Sequence, residues 1–285
     1  MIRAGIRAGD PLLLLFGGNW SIMELPVSGE YEKIEDDFMD EKYTSKPLQL
    51  DGASNVRDLG GYPTGNGNER TCFRRLLRGD HLSALTIKDK ERIYDYGVRY
   101  VVDLRSRMEC ESRPDALIGW RDVQYCSIPM LDQINSSDFR GQIPDSMGEL
   151  YISLLEDSRA QLSEVMRRIL EAGDKGLLFH CTAGKDRTGV VAMLMLKLAG
   201  VSDDDVIRDY HATERYMAGQ VGEQVERLRA AGVKVPDHVF GANPADMLMT
   251  LEHLRQTYGS AEQYLKTLGL SGEEIAELKQ KLHEK

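Results

Sequence analysis

The residues with the clearest chemical potential lie in one short segment, in which a cysteine is followed six positions later by an arginine. Cys181 and Arg187 enclose Thr-Ala-Gly-Lys-Asp, so small residues directly follow the cysteine. Backbone N–H groups in such a loop can turn inward and form an anion cradle at the start of a helix. The same groups and the helix dipole would favour the thiolate of Cys181, and the guanidinium of Arg187 could bind two oxygens of an oxyanion. The segment therefore predicts a nucleophilic cysteine that faces a phosphate.

The sequence on either side of this loop predicts the elements that would position it. Residues 176–179 form a short apolar run, which is typical of a buried strand. Residues 188–198 form an apolar run of helical length that ends before Gly200. A strand, a tight loop and a helix are thus expected in that order.

The spacing alone would be weak support, because the same spacing separates Cys72 from Arg78. The residues between that pair are bulky and include no glycine, so they could not readily wrap around an anion. The loop at Cys181 also differs from a nucleotide-binding loop, in which Gly-Lys is followed directly by Ser or Thr. Here Asp186 follows instead. The prediction therefore depends on the small residues that follow Cys181 and on the strand and helix predicted on either side of the loop.

Composition narrows the class of protein. The chain has 285 residues, of which 41% are hydrophobic, so a substantial core can form. Its net charge of −10 argues against a nucleic-acid-binding protein. No stretch of about 18 apolar residues occurs, so no membrane span is expected. The sequence predicts no zinc cluster, because the cysteines lack paired short spacing, and no disulfide framework, because a working Cys181 must stay reduced. The apolar run 12–16 is too short for a standard signal peptide and follows Asp10, so a cytoplasmic location is favoured, and secretion without a standard signal peptide stays an alternative. The four cysteines are Cys72, Cys110, Cys126 and Cys181.

The chain is expected to divide into an N-terminal extension, residues 1–48, and one catalytic domain, residues 49–285. The extension is predicted to pack or pair through the apolar run 12–16 and otherwise to be irregular. Within the domain, residues 65–68 are typical of a hairpin tip. The polar segment 130–147 is long for a connection, which makes it a candidate substrate-facing loop.

Strands interleaved with helices, followed by helices alone, predict an α/β fold with a central, mostly parallel sheet and a helix-rich C-terminal half. Thr86 is a plausible N-cap for a helix that stops at Gly97, and Ser202 is a plausible N-cap further along. Further strands are predicted at 98–104 and 123–128, the second at a sheet edge. Further helices are predicted at 149–171, 204–217, 219–231, 244–257, 260–268 and 272–284.

Taken together, these segments resemble a known family. The run His180-Cys181 to Arg187-Thr188-Gly189 is similar to the signature loop of the protein tyrosine phosphatase superfamily. The runs 55–61, 77–83 and 101–106 resemble the bacterial and fungal branch that includes secreted mycobacterial and Listeria enzymes. The resemblance covers residues 50–285. It implies the cysteine-phosphatase fold, no metal or other cofactor, and a phosphorylated protein or a phosphoinositide as the partner bound.

The resemblance has one departure, which concerns the general acid. Many tyrosine phosphatases supply it from a Trp-Pro-Asp loop, and neither Trp20 nor Trp120 is followed by Pro-Asp. Asp186 is the preferred candidate, because a neighbouring phosphate and thiolate would favour its protonated form. Asp103, at the end of the strand 98–104, is the rival, although it could equally be a structural partner of Arg105.

The predicted reaction is a two-step displacement through a phosphocysteine on Cys181. In it, Arg187 and the loop N–H groups hold the phosphate oxygens, and Thr188 could donate a hydrogen bond to the thiolate. His180 is expected to support the thiolate, and Lys185 could bind a second phosphate or be a solvated lysine. The alternatives are a phosphoinositide phosphatase and a silent phosphate-binding module. The predicted substrate-binding residues are Thr182, Ala183, Gly184, Lys185, Thr188 and Gly189, and the supporting residues are His180, Asp103 and Arg105.

Overall fold

A computed structural model describes residues 12–16, 19–23, 46–65, 69–130, 146–230 and 236–283. The chain forms two compact units, residues 1–42 and residues 43–285. In the first unit, strands β1 (Leu12–Phe16) and β2 (Asn19–Met23) pair antiparallel, as the apolar run predicted. The division at residue 48 stays a prediction.

The second unit is built around a five-stranded sheet in the order β3-β6-β9-β7-β8. Four neighbouring strands, β6, β9, β7 and β8, run parallel, and β3 pairs antiparallel with β6, so the sheet is mostly parallel, as predicted. Every residue of β9 is buried, which fits its central place. The strands of the sheet are β3 (Arg57–Asp58), β6 (Leu76–Gly79), β7 (Val98–Asp103), β8 (Gln124–Ser127) and β9 (Gly176–His180). A separate hairpin pairs β4 (Pro63–Thr64) with β5 (Glu69–Arg70).

Helices flank the sheet and make up the C-terminal part of the unit. Their capping residues largely match the sequence. Thr86 and Asp89 form a capping box, and Gly97 ends the same helix with a φ of 115°. The helices are α1 (Ile87–Tyr96), α2 (Arg107–Ser112), α3 (Met147–Asp157), α4 (Arg159–Glu171), α5 (Asp186–Leu198), α6 (Asp203–Ala230), α7 (Pro244–Tyr258), α8 (Ala261–Thr267) and α9 (Gly272–Lys281).

Two predicted helix boundaries are wrong. Residues 149–171 form two helices, α3 and α4, and Ser158 lies between them with φ −101° and ψ 27°. The apolar positions on both sides keep helical spacing, so periodicity could not reveal this break. Conversely, α6 runs through Gly219, because a glycine inside a helix costs only about 1 kcal/mol and does not by itself end it.

The short helix α2 was not predicted from the sequence. The segment 131–145 and the hairpin tip 66–68 lie outside the described residues, so the predicted substrate-facing loop stays a prediction. Among the described helices, none is both long enough and apolar enough to cross a bilayer.

Candidate active site

The loop that holds Cys181 and Arg187 joins the central strand to a buried helix. β9 ends at His180 and α5 begins at Asp186, so residues 181–185 form the loop itself. The helix starts two residues earlier than predicted, which places Asp186 and Arg187 in its first turn. Cys181 is 2% exposed and Arg187 is 5% exposed. The strand, loop and helix thus bring the predicted nucleophile and cation to the carboxyl end of the sheet, where α/β folds place their sites.

The carbonyl groups of this loop are held by donors from the surrounding fold. Thr182 O accepts a bond of 3.0 Å from the backbone N–H of His81, and Ala183 O accepts one of 2.9 Å from Asn55 Nδ2. Gly184 O accepts from Arg78 Nη2 at 2.5 Å. Among the described residues, no protein acceptor faces the N–H groups of residues 182–185. The loop therefore has the form of an anion cradle, with its N–H groups available to a ligand.

Gly184 is required for this loop shape. Its φ is +68°, a conformation that other residues adopt only with strain. A Cβ at this position would also lie 2.6 Å from the backbone carbonyl of Gly79. The glycine therefore allows both the turn and the close approach of the loop to strand β6.

Arg187 is bound by a carboxylate that the sequence did not point to. Its Nη1 lies 2.8 Å from Glu109 Oε2, and its Nη2 lies 3.1 Å from Glu109 Oε1. Glu109 also accepts from the hydroxyl of Thr182 and, at 2.8 Å, from the backbone N–H of Ser106. Burial opposes its charge, but the bonds from Arg187 and Thr182 lower the pKa of Glu109 to about 2. Glu109 is thus an ionised group that orients the guanidinium of Arg187.

A sequence signal for Glu109 exists in hindsight. Ser106-x-x-Glu109 is a capping-box pattern that begins helix α2, and the structure contains both of its reciprocal bonds. The box fixes the carboxylate at the helix start, next to the end of β7. Arg105, although it lies close to Glu109 in the sequence, pairs with Asp103.

His180, which directly precedes Cys181, is a buried imidazole that faces a backbone carbonyl and two carboxylates. Its Nδ1 lies 3.2 Å from the carbonyl oxygen of Cys181, and its Nε2 lies 2.9 Å from Asp115 Oδ2. Burial lowers its pKa, but the carboxylates of Asp103 and Asp115 raise it more, so the net shift is upward. The contact of Nε2 with Asp115 is an ion pair outside hydrogen-bond geometry, whereas Nδ1 lies within hydrogen-bond distance of the carbonyl. In its protonated form the ring would be a cation one residue from Cys181, where it would favour a thiolate.

Asp103 serves as the ion-pair partner of Arg105. Arg105 Nη2 lies 2.6 Å from Asp103 Oδ2, and the hydroxyl of Tyr125 donates to the same oxygen at 2.9 Å. Although burial acts against it, His180 and Arg105 hold the pKa of Asp103 well below its usual range. Asp103 is 0% exposed. A permanently ionised, buried carboxylate is poorly suited to deliver a proton, so this geometry favours the structural role for Asp103.

Asp186, the other candidate acid, lies at the rim of the site with its side chain 20% exposed. Its Oδ1 accepts a bond of 2.7 Å from the hydroxyl of Tyr151. Lys185 Nζ lies 3.4 Å from the same oxygen. The carboxylate is therefore held through one oxygen at the first turn of α5, directly beside Arg187.

Lys185 is a buried residue, so the interpretation as a solvated lysine is wrong. Its ammonium donates to the carbonyl of Val239 at 2.6 Å and to that of Gly241 at 2.9 Å. The side chain is only 6% exposed. These bonds tie the loop to the segment that follows the 3₁₀ turn Asp237–Val239, because a buried ammonium needs acceptors in place of water.

Thr188 and Gly189 form the next part of α5. The hydroxyl of Thr188 is fully buried, and no hydrogen-bond partner for it occurs among the described residues. Such a hydroxyl is available to the thiolate or to a bound ligand. A Cβ on Gly189 would lie 3.5 Å from the ring of Tyr210, so helix α6 is close at this point.

Helix α6 supports the loop through one buried carboxylate. Asp209 Oδ1 accepts from Arg57 Nε and from the hydroxyl of Tyr62, each at 3.0 Å, and Oδ2 accepts from Arg78. All of these side chains are buried, and Arg78 is the donor that holds the carbonyl of Gly184. Arg57 thus pairs with a residue far along the chain and not with its neighbour Asp58. Two arginines and one aspartate leave a net positive charge beneath the cradle, which favours an anion there.

The sequence of this chain is similar to those of several known proteins. A family model described as "Tyrosine phosphatase family" matches residues 48–284. A tyrosine-protein phosphatase of Nostoc commune is 35% identical over 224 residues, which cover 73% of this chain and 74% of that protein. The triple specificity protein phosphatase PtpB of Mycobacterium tuberculosis is 24% identical over 266 residues, covering 78% of this chain and 94% of that protein.

Among solved structures, the core catalytic domain of the PP-IP phosphatase SIW14 from S. cerevisiae aligns with 65% of this chain and 96% of its own. The identity is 12% and the TM-score is 0.36. A likeness at that distance supports no conclusion about the site of this chain.

Proposed function

The chain belongs to the tyrosine phosphatase family, and we propose that it hydrolyses phosphotyrosine in proteins through a phosphocysteine on Cys181. The observation that carries this proposal is the loop of residues 181–187. It brings together a buried thiol, backbone N–H groups that have no acceptor in the described part of the chain, and a guanidinium oriented by Glu109. Phosphoserine and phosphothreonine are further possible substrates of the same chemistry.

The proposed reaction has two displacements. In the first, the Cys181 thiolate forms a bond to phosphorus while the bond to the leaving oxygen breaks, and Asp186 donates its proton to that oxygen. In the second, water attacks phosphorus, the Cys181 sulfur leaves as thiolate, and Asp186 accepts a proton from the water. Arg187 and the loop N–H groups bind the equatorial oxygens throughout, and more strongly in the transition state.

A phosphoinositide is the second candidate substrate class. A head group with several phosphates would be recognised by a second cation at the site, and Lys185 was the sequence candidate for it. In the structure, its ammonium is buried against the carbonyls of Val239 and Gly241. This placement favours a substrate with a single phosphate, such as phosphotyrosine.

A substrate panel tests this choice. We expect kcat/KM for a phosphotyrosine peptide to exceed that for a soluble inositol lipid head group by at least about tenfold, which corresponds to about 1.4 kcal/mol. Release of inorganic phosphate from both substrates at equal concentration is the measurement. Equal or faster hydrolysis of the head group would assign the chain to phosphoinositides, and absence of turnover on either would favour a silent binding module.

The choice of acid is tested by the pair Asp186→Asn and Asp103→Asn. We expect Asp186→Asn to lower kcat on a phosphotyrosine peptide by about 100-fold, within the range that acid catalysis contributes, and to remove the fall of kcat at high pH. Asp103→Asn should instead destabilise the fold, because it leaves Arg105 buried without its partner. The pH–rate profiles and thermal unfolding of both variants are the measurements. Normal turnover of Asp186→Asn would show that another group supplies the proton.

We further propose a reducing, cytoplasmic compartment. None of the four cysteines, Cys72, Cys110, Cys126 and Cys181, all in the described part of the chain, forms a disulfide. The mechanism needs Cys181 in its reduced form, which such a compartment maintains.

A further inference from the structure

Two buried tyrosines form a hydrogen-bonded chain that ends on Asp186. The hydroxyl of Tyr151, on α3, lies 2.7 Å from the hydroxyl of Tyr210, on α6, and 2.7 Å from Asp186 Oδ1. Their rings meet edge to face with centroids 5.7 Å apart. Tyr151 is 0% exposed and Tyr210 is 1% exposed. The contact therefore excludes water and has a fixed geometry.

The number of available hydroxyl protons decides which group donates and which accepts in these two hydrogen bonds. An ionised carboxylate only accepts hydrogen bonds, so Tyr151 uses its single hydroxyl proton to donate to Asp186. Tyr210 must then donate to the oxygen of Tyr151. Burial, and next the charge of Asp186, raise the pKa of both tyrosines well above the usual value, so both stay protonated donors.

As a result of these hydrogen bonds, the two carboxylate oxygens of Asp186 have different surroundings. Oδ1 receives the bond from Tyr151 and lies 3.4 Å from the ammonium of Lys185. Oδ2 has no hydrogen-bond partner among the described residues. With Oδ1 accepting the hydrogen bond from Tyr151 and facing the ammonium of Lys185, a proton on Asp186 is expected on Oδ2, and the rotation of the carboxylate is restricted.

We propose that Tyr151 is a positioning residue, which holds Asp186 through Oδ1 so that Oδ2 carries the proton to the leaving oxygen, and that Tyr210 supports Tyr151. This inference rests on the proposed function. The two tyrosines come from α3 and α6, outside the loop that carries the nucleophile. Helix α6 thereby contributes twice, because Asp209 holds the arginine that bonds to Gly184 and Tyr210 holds the donor that bonds to Asp186.

The test is Tyr151→Phe, assayed with a series of aryl phosphates whose phenols differ in basicity. A misplaced acid matters most when the leaving phenolate is basic and least when it departs without a proton. We expect kcat/KM, which reports formation of the phosphocysteine and release of the phenol, to fall about 10- to 100-fold for phenyl phosphate, as part of the contribution of acid catalysis, and less than about threefold for a dinitrophenyl phosphate. Tyr210→Phe should also lower the rate more for phenyl phosphate than for a dinitrophenyl phosphate, but by a smaller factor than Tyr151→Phe.

Tyr264→Phe is the matched control. Its hydroxyl is equally buried and donates to the carbonyl of Leu155 at 2.6 Å, but it has no contact with Asp186. This variant should keep the dependence on leaving-group basicity of the unmodified protein, even if its thermal stability falls. Thermal unfolding of all three variants separates folding losses from kinetic ones, and Tyr210→Phe provides the kinetic answer if Tyr151→Phe does not fold.

The outcomes separate this inference from the proposed function. A loss in Tyr151→Phe that is uniform across the series, or no loss at all, would overturn the positioning role while leaving the phosphatase assignment in place. A protein that hydrolyses no member of the series, with Asp186 and Tyr151 intact, would overturn both. A steeper dependence on leaving-group basicity in Tyr151→Phe, absent in Tyr264→Phe, supports the assignment.

Discussion

Cys181→Ser is expected to reduce turnover of a phosphotyrosine peptide by at least about 10⁴-fold, because a serine hydroxyl is not ionised near neutral pH and cannot replace the thiolate. The cradle around it should persist. Its carbonyls are held by Asn55, Arg78 and the backbone of His81, none of which depends on the sulfur. Phosphopeptide binding, measured by calorimetry, should therefore be retained while phosphate release is lost.

The chain offers its own control for this substitution. Cys72 has the same spacing to an arginine, Arg78, but it lies away from the loop, and its backbone N–H bonds to the carbonyl of Leu282. Cys72→Ser should therefore keep kcat within about twofold of the unmodified protein. A Cys181→Ser protein with an unchanged rate would contradict the nucleophile assignment and with it the mechanism.

Arg187→Lys is expected to lower kcat by about 10³-fold and to raise KM, although the charge is conserved. The guanidinium presents several donors in one plane, so it can bind Glu109 through two nitrogens and still offer N–H groups to phosphate. An ammonium is a point charge that cannot do both at once. In this variant the buried negative charge of Glu109 would also be less well stabilised, because a lysine cannot bind both of its oxygens as Arg187 does.

A surface arginine serves as the comparison for Arg187→Lys. Arg168 also pairs with two carboxylates, Glu164 and Glu171, but its side chain is 37% exposed on helix α4. Arg168→Lys should change neither kcat nor KM measurably, because exposed ion pairs contribute little. If Arg187→Lys kept its rate within about threefold, the bidentate role assigned to Arg187 would be wrong.

The part of the site that could be predicted from the sequence is the part that is local. The small residues after Cys181 and the apolar runs on both sides together fix a strand, a loop and a helix within 23 residues, because backbone conformation depends mainly on near neighbours. Helix ends at Thr86 and Gly97 were predicted for the same reason, since capping bonds span only a few residues. Where a local signal was ambiguous, as at Ser158 and Gly219, the prediction failed.

The tertiary structure alone decided which side chains serve that loop. Glu109 meets Arg187 from 78 positions away, Tyr151 meets Asp186 from 35, and Asp209 meets Arg57 from 152. Each pair forms because separate elements converge at the carboxyl end of the sheet, and once buried there a charge or hydroxyl must find a partner. The sequence shows where such residues stand along the chain, but it does not show which of them will be buried next to one another. It was therefore enough to predict the nucleophile, the cradle and the phosphate chemistry, whereas the packing of α2, α3 and α6 around the loop decided which side chains support Arg187 and Asp186.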